Sequence, residues 1–260
     1  MIRNAIVGGV SGLTVALVLL AVPAAASTIP VDISGIANES WSLFIGGNTI
    51  PTGNQMYNGV PFDIPSGSDN GWFAFNGSSP ATVTLNIGVA NVTTVYTLMD
   101  TIWGQPGPAS YVSLTFTGSN GAIFTDPLYG NSDIRDFNAP SYYTNSINNT
   151  STINAWTGPN YSMSGCFLNA PCHHRLDEQI ITLPAAFATQ TLTSLTILDT
   201  GNDNFQRSFL AALTVNTAGP ASPAPEPSTL TLFGLAAPLV MTARRCAKRR
   251  RAVSPDISQK

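Results

Sequence analysis

Tyr111-Val112-Ser113-Leu114-Thr115-Phe116-Thr117 alternates strictly, with Val112, Leu114 and Phe116 on one face and Tyr111, Ser113, Thr115 and Thr117 on the other. Successive side chains of a strand point to opposite faces, so a period of two marks a strand with one face in a core and the other in water. Outward from this stretch, residues 83–87, 92–98, 180–183, 192–198 and 209–215 are similarly rich in β-branched and apolar side chains. Residues 41–45, 60–64 and 72–75 add shorter candidates. Turn signals separate them: Gly46-Gly47-Asn48, Pro65-Ser66-Gly67, Gly118-Ser119-Asn120-Gly121 and Gly201-Asn202-Asp203. No amphipathic helix is evident between 27 and 217, although Pro184 to Thr189 suits a single helical turn. About nine or ten short strands joined by such turns predict an all-β fold, an antiparallel β-sandwich.

Composition narrows the setting. Residues 27–217 contain no lysine, and Arg135, Arg175 and Arg207 face twelve Asp and Glu side chains. Nucleic acid is excluded as a partner, because phosphate neutralisation needs clustered Lys and Arg. Solubility rests instead on Ser, Thr, Asn and Gly. The segment from Asp133 to Arg175 is dense in Asn, Ser, Tyr and Thr without a sustained apolar period, which predicts a long loop. Its aromatic side chains Tyr142, Tyr143, Trp156 and Tyr161 exceed what a plain linker needs, and make it a candidate polysaccharide-binding region.

Several side chains are candidates for chemistry. Cys166 and Cys172, with five residues between them, suit a local disulfide contributing roughly 2 kcal/mol, two free thiols being the alternative. His173 and His174 are adjacent and seldom could both point at one ion, so exposed loop positions are expected rather than a zinc site. Asp199, Asn202 and Asp203 form a weak candidate calcium turn, and Asp and Asn also enter turns for backbone reasons alone. Each arginine lies close in sequence to carboxylates: Arg135 to Asp133 and Asp136, Arg175 to Asp177 and Glu178, Arg207 to Asp203. Their planar donor forks suit tying a loop to a sheet or holding sugar hydroxyls. Trp103, Arg135, Asp136, Trp156, Arg175 and Asp177 are therefore the candidate ligand-binding set, the tryptophans through stacking. No nucleophile elbow, His-Glu-x-x-His or phosphate loop occurs, and no catalytic residue is assigned. A glycosidase pair drawn from Asp133, Asp136, Asp177 and Glu178 would depend on a separation that spacing does not define.

The two ends read as export signals. Residues 1–26 carry Arg3, an apolar stretch and Ala24-Ala25-Ala26 before Ser27, the pattern of a signal peptide cut by signal peptidase after Sec export; an uncleaved anchor is the alternative. At the other end, a Pro-rich linker over 218–227 ends in Pro225-Glu226-Pro227. An apolar run over 228–243 follows, reaching roughly 24 Å as a helix, a little short of a bilayer core. Arg244, Arg245, Lys248, Arg249, Arg250 and Arg251 come next, so residues 228–251 read as a membrane anchor with a basic cytoplasmic tail, and 252–260 as a polar end. The domain between, 27–217, is thereby placed outside the cytoplasm.

The order Pro-Glu-Pro, apolar segment, basic cluster resembles the PEP-CTERM sorting domain of Gram-negative, exopolysaccharide-producing bacteria. That resemblance implies processing by an exosortase. Within the domain, Gly59-Val60-Pro61-Phe62, Trp103-Gly104-Gln105-Pro106-Gly107, Asp133-Ile134-Arg135-Asp136, Arg175-Leu176-Asp177-Glu178-Gln179 and Asp199-Thr200-Gly201 resemble uncharacterised PEP-CTERM proteins. These in turn are similar to galactose-binding-like domains, which implies a jelly roll and suggests glycan binding. The expectation is an exported, non-catalytic surface or matrix protein without a required cofactor, acting in biofilm or exopolysaccharide organisation. A carbohydrate-binding module is the alternative, and a polysaccharide hydrolase the less favoured one.

Overall fold

The computed structural model describes residues 26–40, 50–74, 80–104, 106–107, 110–140, 144–160, 172–201 and 206–219. The signal peptide, the Pro-Glu-Pro element, the apolar run, the basic tail, the strand expected over 41–45, Cys166, Asn202 and Asp203 lie outside these residues. Among those described, no helix is long and apolar enough to cross a membrane.

The described residues form β1 (Ser27–Val31), β2 (Gly53–Tyr57), β3 (Val60–Ile64), β4 (Trp72–Phe73), β5 (Ala81–Ala90), β6 (Val92–Ile102) and β7 (Val112–Gly118). They continue with β8 (Ile123–Leu128), β9 (Asn138–Ala139), β10 (Thr152–Thr157), β11 (His173–Thr182), β12 (Thr191–Asp199) and β13 (Arg207–Thr217). A single 3-10 turn, Ala185–Thr189, follows Pro184 where one helical turn was expected. The fold is all-β and its strand ladders are antiparallel. One sheet runs β1-β13-β6-β11-β10, with β4 attached to β13 and β9 to β11; a second runs β5-β12-β7-β8; β2 and β3 pair alone.

Alternation in β7 does what its sequence predicts: Val112, Leu114 and Phe116 are buried, while Ser113, Thr115 and Thr117 are half-exposed. Tyr111 departs from the expectation. It precedes the strand and is buried, because its side chain leaves the alternating pattern and turns inward. The main core takes Leu114 and Phe116 from β7, Leu195 and Ile197 from β12, and Met99 and Leu213 from the other sheet, so the two sheets share one apolar interior. Each such side chain contributes about 1.5–3 kcal/mol on full burial.

A second apolar cluster lies on the other side of the first sheet. It joins Phe62 and Ile64 of the β2–β3 hairpin to Leu98, Leu176, Phe209 and Ala211. The first sheet is thus covered on both faces, which explains why β6, β11 and β13 are buried over successive residues rather than at every second one. The hairpin is closed by Asn58 at φ 49° and Gly59 at φ 84°, with Tyr57 opposite Val60. This two-residue connection has the left-handed pair that Asn-Gly supplies best.

The segment from 133 to 175 is not one long loop. It contains β9, β10 and the start of β11. Polar side chains in it and just before it supply the order that apolar periodicity does not reveal: Asn131 Oδ1 accepts the Asn145 and Ser146 N–H groups at 2.8 and 3.1 Å. Asn149 Oδ1 likewise accepts the Thr152 N–H at 2.7 Å.

Candidate functional site

Five stretches meet at one end of the first sheet: the end of β6, the 103–104 connection, the 129–138 turn, residues 144–149 and the start of β11. At their centre Arg135 grips Asp177 through two parallel bonds, Nε to Oδ2 at 2.6 Å and Nη2 to Oδ1 at 2.7 Å. Asp177 is fully buried and Arg135 nearly so. Burial pulls the Arg135 guanidinium down, but the hydrogen bonds and negative charge of Asp177 more than offset this, and its pKa rises. Arg175 is buried more deeply than Arg135. Burial, and then the positive charge of Arg135, lower it to about 10. Its Nε donates to the Asp136 carbonyl at 2.8 Å, and the Asn145 carbonyl accepts from Nη1 of both arginines, at 3.3 Å from Arg135 and 3.4 Å from Arg175.

The spacing-based pairing of Arg135 and Arg175 with their sequence neighbours is therefore corrected, while Asp203, the neighbour of Arg207, lies outside the described residues. Arg135 selects Asp177 rather than Asp133 or Asp136, and Arg175 binds a backbone carbonyl instead of the Asp177 or Glu178 carboxylate. Glu178, three positions from Arg175 in β11, falls on the opposite face of the strand, and Asp177 is taken by Arg135, which the 129–138 turn carries alongside β11.

Asp100 completes the cluster and was not singled out by sequence. It is fully buried, and its Oδ2 accepts the Asp177 N–H at 2.9 Å. Burial, followed by the charge of Asp177, raises its pKa well above the ordinary value, against the pull of both arginines. Among the described residues, Asp100 Oδ1 and Arg175 Nη2 find no hydrogen-bond partner. A neutral carboxyl bears that at lower cost than a carboxylate. The signal was a carboxylate inside the apolar run Leu98-Met99-Asp100-Thr101-Ile102, a position carboxylates rarely take without a partner.

Asp136 ties this framework to the surface. Its Oδ2 accepts the Trp103 N–H at 3.0 Å and its Oδ1 accepts the Asn138 N–H at 2.9 Å. Trp103 is held at φ 54°, a left-handed conformation unusual for a bulky residue, and remains 40 % exposed. Gly104 follows with no room for a side chain, since a Cβ there would sit 2.3 Å from Thr101 Oγ1 and 2.8 Å from both Thr144 Oγ1 and the Tyr111 hydroxyl. Of the six candidate ligand-binding residues, Arg135, Asp136, Arg175 and Asp177 are locked inside, and Trp103 alone presents a ring as exposed as this. Trp156 is half-buried against the second apolar cluster with its ring over Gly158.

The two histidines are corrected as well. They open β11, opposite Ala139 and Asn138 of β9, and are not exposed loop residues. His174 is buried and stacks on Phe137 with centroids 5.2 Å apart; burial, and then His173, lower its pKa to about 4. His173 is half-buried and also lowered, first by burial. As strand neighbours they face opposite sides, and among the described residues no three His, Cys, Asp or Glu side chains gather to hold a metal ion. Asp199 closes the β12–β13 connection: Oδ1 accepts the Gly201 N–H at 2.8 Å, and Oδ2 accepts the Ser208 N–H at 2.7 Å and Gln206 Nε2 at 3.1 Å. Cys172 is buried and disulfide-bonded. The other cysteines, Cys166 and Cys246, lie outside the described residues.

No protein-family model matches the chain, and neither does any curated protein.

Proposed function

We propose that the chain is an exported, non-catalytic protein of the cell surface or extracellular matrix of a Gram-negative bacterium, built on a jelly-roll β-sandwich of galactose-binding-like type. In this reading an exosortase recognises Pro225-Glu226-Pro227, the 228–251 segment holds the chain in the membrane before processing, and the domain serves biofilm or exopolysaccharide organisation. The jelly roll is supported by nested pairing. With β2, β3, β4, β9 and β10 set aside, the first strand pairs with the last, β1 with β13, and the next pairs are β5 with β12, β6 with β11 and β7 with β8. That is the pattern of one long hairpin rolled into two sheets.

The observation that carries the non-catalytic reading is that each of the four carboxylates considered for a hydrolase pair already accepts hydrogen bonds within the fold. Asp177 pairs with Arg135, Asp136 accepts two backbone N–H groups, Asp133 accepts Tyr129 N–H and Asn149, and Glu178 accepts Asn58 Nδ2 at 2.8 Å. The disulfide at Cys172 supports an oxidising compartment. Deleting residues 218–260 tests the sorting half of the reading: the truncated chain should appear in the medium while the full chain stays with the envelope. Equal retention of both would overturn it.

The exposed, backbone-clamped Trp103 favours carbohydrate binding as a second reading, with the ring stacking on a sugar face. A glycan array, with and without calcium, should show binding that Trp103→Ala abolishes. Silence across neutral and acidic glycans would remove this reading and leave the first intact.

A further inference from the structure

An open sheet ends in strands whose outer N–H and C=O groups lack partners, and proteins blunt such edges with proline, charge, bulges or brevity. The first sheet ends in β1, five residues including Pro30, and in β10, which is broken by a bulge between Asn154 and Trp156. The second ends in β8, which contains Asp126 and Pro127, and in β5. β5 runs for ten residues with no proline and no charged side chain. Its irregularity is confined to the far end, where a bulge opposite Leu192 and Ser194 puts Gly88 at φ 71°. Residues 81–86 form an unbroken ladder with 194–199 on the inner side. Among the described residues, no strand pairs with the outer side.

Burial along β5 is incomplete. Ala81, Val83, Ile87 and Val89 point inward yet are only partly buried, whereas Leu192, Leu195 and Ile197 of neighbouring β12 are sealed from solvent. A strand added beside β5 would cover that row. On the opposite face Thr82, Thr84 and Asn86 are exposed and neutral, and Thr84 already shares a 2.9 Å hydroxyl bond with Thr196 across the ladder.

We propose that β5 is a self-association edge, pairing antiparallel with β5 of a second copy of the chain and joining their two four-stranded sheets into one. The occupant follows from symmetry and charge. One strand pairing antiparallel with its own copy is two-fold symmetric, so a single edge closes the dimer. Because residues 81–90 carry no charge, two copies of an otherwise acidic domain meet there without like-charge repulsion. The threonines supply the cross-strand hydroxyl pairs that a second strand can continue.

The test uses the full chain in mild detergent, followed by sedimentation velocity over about two decades of concentration and by amide hydrogen exchange. A reversible monomer–dimer equilibrium is expected, with protection of residues 81–90 that grows with concentration. Thr82→Lys/Thr84→Lys places like charges at exposed positions that the fold tolerates. It should weaken dimerisation at least tenfold, with the unfolding midpoint of the dilute chain unchanged. A chain that stays monomeric overturns the proposal. Association that the double variant does not weaken also overturns it, since the contact then lies elsewhere, in the apolar tail for instance. Protection of 81–90 that is independent of concentration overturns it too, because a segment of the same chain then occupies the edge.

Discussion

Asp100 sits at the bottom of the charged cluster, and its environment makes a directional prediction. Its folded pKa is raised above the unfolded value, so its contribution to stability is complete below about pH 4 and is lost as pH rises toward the folded value. Asp100→Asn cannot ionise and keeps an acceptor for the Asp177 N–H. Urea unfolding should show the variant gaining on the parent protein as pH rises from 4 to 8; a constant difference would disprove the assignment. His174 runs the other way. Its folded pKa of about 4 lies below the unfolded value, so its stabilisation is complete above about pH 6.5 and is lost as pH falls toward 4. His174→Phe, which keeps the stack on Phe137, should remove up to about 3 kcal/mol of this acid sensitivity, measured as the parent-minus-variant difference at pH 7 and pH 4. Arg135→Met leaves the Asp177 carboxylate buried without its bidentate partner and should cost about 3–5 kcal/mol in chemical denaturation. The arginines of this cluster and their neighbouring carboxylates stood out in the sequence, whereas Asp100 did not. Their partners were not visible there, because Arg135 and Asp177 are separated by 42 positions.

The connection from β6 to β7 is where backbone geometry has the most to lose. Gly104 is enclosed by three hydroxyls, and Trp103 beside it is clamped in a left-handed conformation by Asp136. Gly104→Ala should therefore destabilise the fold by about 1–3 kcal/mol and shift Trp103 emission, with Trp103→Phe identifying which tryptophan moves. An unchanged melting midpoint and spectrum would show that the hydroxyls yield at little cost. At this scale the sequence was legible where apolar periodicity was clean. β7, β12 and β3 lie where alternation or β-branched runs place them, and the turns at Gly118 and Gly201 lie between strands as expected. β1, β2, β8, β9 and β10 were missed; Gly53-Asn54-Gln55-Met56-Tyr57 and Thr152-Ile153-Asn154-Ala155-Trp156-Thr157, for instance, carry too few apolar side chains in period. Asn58-Gly59 was the overlooked cue for β2, because that dipeptide closes a two-residue hairpin.

The whole domain is closed by its two ends. Ser27 lies opposite Thr217 and Val31 opposite Leu213, so the first described strand covers the edge of the last. Removing residues 27–31 should bare β13 and lower the melting midpoint by several degrees, checked by calorimetry against the chain that begins at Ser27. A midpoint unchanged within error would mean that β1 docks without contributing. The sequence alone determined that the domain is all-β, and where many of its strands run, because alternation of side chains across a strand is a local property of the backbone. Its composition also left residues 27–217 without lysine and with three arginines. Only the tertiary structure decided which strands became neighbours, which carboxylate Arg135 met, that two histidines entered a strand, and which sheet edge no described strand covers. Those outcomes depend on groups brought together across as many as 190 positions. Burial then changes the energies of the groups that meet, as it does for Asp100 and Arg175, and no local pattern records that.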